Sequence, residues 1–185
     1  WVHLALTHDD SSNTTTLYIN GVSKATSTTA LSGNVDGFYL SHSTAHGTRW
    51  ITANYQDVRF YKGTVKYTGN FSPASTNPDI VQDSPSGVAL SSEPTKITEG
   101  AVSFDGIGDY LSLVDSADWN LAGNDFTIEA FVYHNSTDYG SVGGYDSIIS
   151  QWVDSSGPDR AFAWETVGSG DSSDLEFYYY TDDDV

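Results

Sequence analysis

The sequence predicts an all-β protein, an antiparallel β-sandwich, and three observations carry that reading. Apolar residues recur at every second position in several stretches, which is the period of a half-buried strand. Asn20-Gly21 separates two such stretches as a two-residue hairpin turn, because Asn and Gly tolerate the positive φ of a type I′ turn at low cost. No long window keeps helical apolar spacing over more than two turns, whereas residues that suit pleated surfaces are abundant, with 12 Tyr, 8 Phe and 5 Trp. At 185 residues, 38% of them hydrophobic, the chain can bury the core of one generous domain or parts of two.

Taken in order, residues 1–8 (WVHLALTH) place Val2, Leu4 and Leu6 on one face and His3, Ala5 and Thr7 on the other. A polar turn from Asp9 to Asn13 leads into the TTTLYINGVSKAT hairpin. Val35–Leu40 and Tyr55–Tyr61 read as further strands, the latter setting Val58 and Phe60 against Asp57, Arg59 and Tyr61. From Gly63 to Thr98 the texture changes. Pro73, Pro78, Pro85 and Pro94 stand among Ser, Thr, Asn and Asp, the composition of an extended connector. Strand patterning resumes with AVSFDG and DYLSL around a Gly106–Gly108 turn. Phe126, Ile128, Ala130 and Val132 then alternate with Thr127, Glu129, Phe131 and Tyr133, and strands follow at Ser147–Val153, Arg160–Thr166 and Asp174–Thr181. Many short strands punctuated by turn signals argue for a sandwich.

Charge narrows the function. Seven basic residues against 25 acidic ones give a formal charge of −18, a surface that repels phosphate backbones and argues against nucleic-acid binding. It suits a solubilising surface, a salty habitat or divalent cations. There is no cysteine, which excludes disulfide stapling and thiol chemistry. No apolar run is long enough to span a membrane, and no signal-peptide pattern is present. The chain lacks Met and starts on Trp1 within a strand pattern, so an internal or processed segment of a longer protein is expected.

Two stretches carry a family resemblance. AVSFDGIGDYLSLVDSADWNLAGNDFTIEAFVY resembles the opening of a laminin-G-like repeat of the concanavalin A-like lectin/glucanase superfamily, where an FDG…DYL hairpin leads to an FTIEAWV-type strand. WVHLALTHDDSSNTTTLYINGV followed by DVRFYKGTVKYTGNFSPAS resembles the closing half of the same module. YTGNFSP endings are similar to those of repeats in phage and marine bacterial surface proteins. The resemblance implies a jelly-roll sandwich. The closing half comes first here, so residues 1–75 are expected to end one module, 76–99 to form a Pro/Ser-rich connector and 100–185 to begin the next. Flanking sequence or a neighbouring chain would complete each half, since neither can bury both faces of a sandwich alone. A circularly permuted module is the alternative. It is disfavoured because new termini are tolerated mainly at exposed loop tips.

Candidate chemistry is sparse. Glycoside hydrolysis needs two carboxylates across a cleft, and the E-x-D-x-x-E strand pattern of related glucanases is missing. Glu129, Glu165 and Glu176 stand singly on expected strands and read as exposed carboxylates, so a non-catalytic module is expected. The histidines, His3, His8, His42, His46 and His134, fit no nucleophilic triad; His42 and His46 suit a surface loop better than a metal. The resemblance implies a structural calcium where the opening hairpin meets the closing strand, with Asp105 and Asp109 from FDGIGDY and Asp57 from QDVRFY as ligands; the plainer reading has Asp105 supporting the turn before Gly106. Tyr178 and Tyr180 lie on one side of an expected strand, opposite Leu175, Phe177 and Tyr179. They could form a glycan-stacking platform, although cross-strand aromatic packing is the plainer and preferred reading. Asn13, Asn70 and Asn135 head N-x-S/T triplets, which matter only where sequons are glycosylated.

The function expected is therefore a structural or adhesive repeat of a large extracellular fibre, cell-surface filament or virion appendage. Its partners would be other copies or repeats of itself, with no nucleic acid and no membrane insertion. A carbohydrate-binding lectin module that engages surface glycans is the alternative.

Overall fold

A computed structural model describes residues 1–31, 38–43, 50–73, 101–113, 116–135, 144–152, 160–169 and 172–179. Its strands in chain order are β1 Val2–Asp9, β2 Thr14–Ile19, β3 Val22–Ser27, β4 Phe38–Leu40, β5 Thr52–Lys62, β6 Ala101–Asp105, β7 Leu111–Leu113, β8 Phe126–His134, β9 Tyr145–Trp152, β10 Arg160–Ser169 and β11 Ser172–Tyr179. A single 3-10 turn, Ala117–Trp119, is capped by Ser116. Every expected strand that falls in the described residues is present, and the expected near-absence of helix holds among them.

The strands form two antiparallel sheets, as a concanavalin-like β-sandwich requires. Sheet A runs β3-β2-β1-β8-β5-β6 and sheet B runs β11-β10-β9-β4-β7. The alternation read from the sequence decides what lies between them. Leu4, Leu6, Leu17, Ile128, Ala130, Val132, Ala53, Tyr55 and Phe104 from sheet A meet Phe38, Ile149, Phe162 and Trp164 from sheet B in one buried cluster. Burying each large apolar side chain contributes about 1.5–3 kcal/mol. Tyr55 reaches across to bond Ile148 O at 2.9 Å.

The alternation of β5 breaks in the middle. Its register against β8 shifts between Gln56 and Arg59, and Asp57 takes a positive φ of 52°. An extra residue inserted here re-aims the strand. Tyr55 and Phe60, an odd and an even position, can thereby both reach the core.

The two segments interleave. β8, from the later segment, lies between β1 and β5 of the earlier one. β4, from the earlier segment, lies between β9 and β7 of the later one. The expectation left each half to be completed by flanking sequence or by a neighbouring chain; within this chain, each half completes the other.

Candidate functional site

Two surfaces outside the core bring chemistry-bearing residues together. The first is the outer face of sheet A. Residues of β1 and β8 that point away from the core (His3, Ala5 and Thr7; Thr127, Glu129 and Phe131) are nevertheless buried. They are covered by the chain that follows β5. The sequence reading assigned Gly63 onward to an extended connector, but 64–73 lies across sheet A as a strap. Thr127 Oγ1 donates to Thr64 O and accepts from Lys66 N, both at 2.9 Å. Tyr18 Oη donates to Tyr67 O at 3.2 Å. Asn70 Oδ1 accepts from Ser23 N, and Phe71 N donates to Gly21 O, both at 2.9 Å. Tyr67 and Phe71 stack with ring centroids 3.5 Å apart. Gly21 has two reasons to be glycine: its φ is +75°, and a Cβ there would lie 1.9 Å from Phe71 O.

Glu129 is the centre of this face. Its carboxylate accepts from Lys66 Nζ, from Tyr67 Oη at 2.6 Å and from Tyr61 Oη at 3.4 Å, and His3 Nε2 lies 3.4 Å away. Burial alone would raise its pKa. Hydrogen bonds from His3, Lys66 and Tyr67 outweigh burial and hold it down at about 2. The same environment pushes Tyr67 up to about 12, through burial and then its bond to Glu129. The expectation of an exposed strand carboxylate at Glu129 is corrected: it is 4% exposed, because the strap closes over it. A carboxylate so committed has no oxygen free for general acid or base work.

Glu165 is likewise buried rather than exposed, at 1%. The β10–β11 register sets Glu176 directly opposite it, so a second carboxylate does face Glu165. Glu165 itself is shut away from solvent while Glu176 is half-buried, so the two do not stand as a pair across an open cleft, as glycoside hydrolysis requires.

The second surface is the outer face of sheet B near β4 and β7. Phe38 and Leu40 pack on the core, so Tyr39 between them points outward. Tyr110 lies 6.3 Å from Tyr39 and 5.1 Å from His42 between ring centroids, and His42 lies 6.4 Å from Trp50. Ser41 assembles the group. Its φ is +65°, its side chain bonds both N and O of Ile51, and its N–H donates to Ile148 O at 3.0 Å. That pins His42 beside Trp50, and Ser150 Oγ donates to His42 O. Burial lowers the His42 pKa, which favours the neutral ring. Tyr110 is half exposed. The sequence reading missed this cluster because its four members come from three separate stretches of the chain. The adjacency of Trp50 to Ile51 and of Tyr110 to the 106–108 turn gave no periodic signal.

The candidate residues read from sequence are scattered. The β5–β6 ladder pairs Thr52 with Asp105 and Gln56 with Ala101, so Asp57 and Asp105 lie toward opposite ends of it. Asp57 bonds Arg59 Nε at 2.6 Å, and Asp105 Oδ1 accepts from Ile107 N at 2.7 Å, the turn-supporting role weighed against calcium. Asp109 is exposed beyond the turn. The three do not converge, and among the described residues no group of three acidic or histidine side chains is placed to hold a metal ion. Tyr178 pairs with Ala163 in the β10–β11 ladder. Leu175, Phe177 and Tyr179 pack against the core as the alternation required. Tyr180 and His46 lie outside the described residues. Asn13 sits exposed in a positive-φ turn, Asn70 is held by the strap bond to Ser23, and Asn135 is exposed after β8.

Among the described residues no helix is long and apolar enough to cross a membrane. No curated protein and no solved structure matches the chain significantly. Residues 1–67 match a laminin-G-type family model, described as the Concanavalin A-like lectin/glucanases superfamily; the match covers β1 to β5 and the start of the strap, agrees with the concanavalin-like arrangement of the two sheets, and suggests a lectin-like or adhesive module.

Proposed function

We propose that the chain is a non-catalytic structural or adhesive repeat of a large extracellular fibre, surface filament or virion appendage. Residues 1–75 would close one module, 76–99 would connect, and 100–185 would open the next. The observation that carries this reading is the interleaving of the two segments: an opening half and a closing half fit each other strand by strand, which is how repeated units would be held. The buried, fully bonded Glu129 supports a non-catalytic role. Electron microscopy of the purified chain tests the proposal, with ordered polymers expected. A chain that stays single at every concentration, with no surface or glycan bound, overturns it.

A lectin role is the second reading, favoured by the Tyr39–His42–Trp50–Tyr110 cluster. Aromatic faces stack on sugar rings, and polar groups at their rim fix orientation. Polysaccharide pull-down that is lost on Tyr110→Ala supports it, and binding unchanged by that substitution counts against this surface. The metal reading is reduced to a calcium held by Asp105 and Asp109 at the hairpin tip without Asp57. A melting temperature unmoved by excess chelator would overturn that too.

A further inference from the structure

The topology carries an inference about how copies join, one that deepens the repeat reading by naming the joining element. Each segment leaves a slot that only the other fills. Without β8, β1 and β5 face each other across an empty strand position; without β4, so do β9 and β7. Unpaired edges flanking such a gap expose rows of backbone N–H and C=O groups that demand a strand. The strand that fills the first slot is almost wholly buried along its length, from Phe126 to Val132. Its register with β1 runs unbroken from Val2↔Val132 to His8↔Phe126.

Residues 74–100 are the covalent tie between the segments, and a chain of that length can reach on the order of 90 Å when extended. Nothing in the ladders themselves requires β8 and its slot to belong to one polypeptide. Exchange between copies preserves every backbone bond, which is why it is a low-cost route to assembly. We propose that the 101–179 segment of one chain inserts β8 between β1 and β5 of a second copy of this chain. A reciprocal exchange closes as a dimer. A one-way exchange leaves an unfilled slot at one end and a free β8 at the other, and so grows head to tail.

The natural absence of cysteine makes a clean test. Val2→Cys and Val132→Cys, prepared as separate full-length chains, are unfolded, mixed in equal amounts, refolded at rising concentration and oxidised. The expected result is a disulfide-linked Val2–Val132 peptide, which can only come from two chains, together with dimers and larger species by light scattering. The double variant, carrying both substitutions in one chain, checks that the register permits the bond. Monomers alone at every concentration overturn the proposal. So do larger species without the mixed disulfide when the double variant closes within its chain, for they would mean association through another surface. Larger species without the mixed disulfide sink the exchange alone and leave the fibre reading standing, whereas monomers at every concentration count against both and leave only the lectin reading, which is judged by pull-down.

Discussion

The outer face of sheet A and the Tyr39 corner of sheet B are built from the same alternation and end up as opposites, although farther along sheet B the outward Glu165 is buried as well. On sheet A, the outward residues His3, Thr7, Thr127, Glu129 and Phe131 are as buried as core residues. On sheet B, the outward Tyr39 belongs to an aromatic group whose member Tyr110 is half exposed. The difference traces to the ten residues after β5. They fold back over sheet A, tied by Thr127 and Glu129, and turn a solvent face into a second packed layer. No described segment does this for the Tyr39 cluster. One outer face is thus a second packed layer, while the corner of the other around Tyr110 stays open.

The largest effect should come from the sealed face. Glu129→Ala removes the partner of a part-buried ammonium and of two tyrosine hydroxyls. Breaking a buried, hydrogen-bonded ion pair by deleting one member costs about 3–5 kcal/mol. Urea denaturation should show that loss, and protease cleavage should move into the strap near Lys66. A loss within the range of ordinary surface substitutions would mean that the strap is not held by Glu129.

Acid should act through the same carboxylate. Its folded pKa of about 2 lies below the ordinary value of 4.5. The stability it contributes is therefore fully present above pH 4.5 and is lost as pH falls from there through 2. Linkage puts the total at about 3 kcal/mol. Stability measured against pH should fall across that window, and Glu129→Gln should flatten this part of the curve. An equal fall in the variant would assign the acid sensitivity to other carboxylates.

Which parts of this were legible beforehand follows the range of each interaction. Strands were legible because their signal is local: two-residue alternation in β1 and β8, and Asn20-Gly21 between β2 and β3. The bulge at Asp57 was not, since only the partner strand β8 shows that Tyr55 and Phe60 must both reach the core. Burial of Glu129 was not legible either. A carboxylate in an alternating strand reads as exposed unless the covering segment is known, and that segment, rich in Thr and Gly and ending on Pro73, has the composition of a connector. Its aromatic pair Tyr67 and Phe71, four residues apart in otherwise polar sequence, was the one available hint. The separation of the three calcium candidates was not legible for the same reason in reverse. Asp57 and Asp105 looked compatible as family positions, whereas the β5–β6 register, a long-range property, sets them apart.

The smallest stability effect belongs to the open face, and it sharpens the contrast most. Tyr110 is half exposed, and its ring lies beside Tyr39 and His42. Exposed aromatic contacts of this kind are worth about 0.5–1.5 kcal/mol, so Tyr110→Ala should shift the urea midpoint far less than Glu129→Ala does. If that face is kept for contact, the same substitution should still abolish retention on any polysaccharide that holds the parent chain. A residue whose removal is nearly silent in unfolding but decisive in binding is what separates a working surface from a supporting one. Should Tyr110→Ala instead destabilise as strongly as Glu129→Ala, the cluster would be a second lock, and the two faces would differ in composition but not in role.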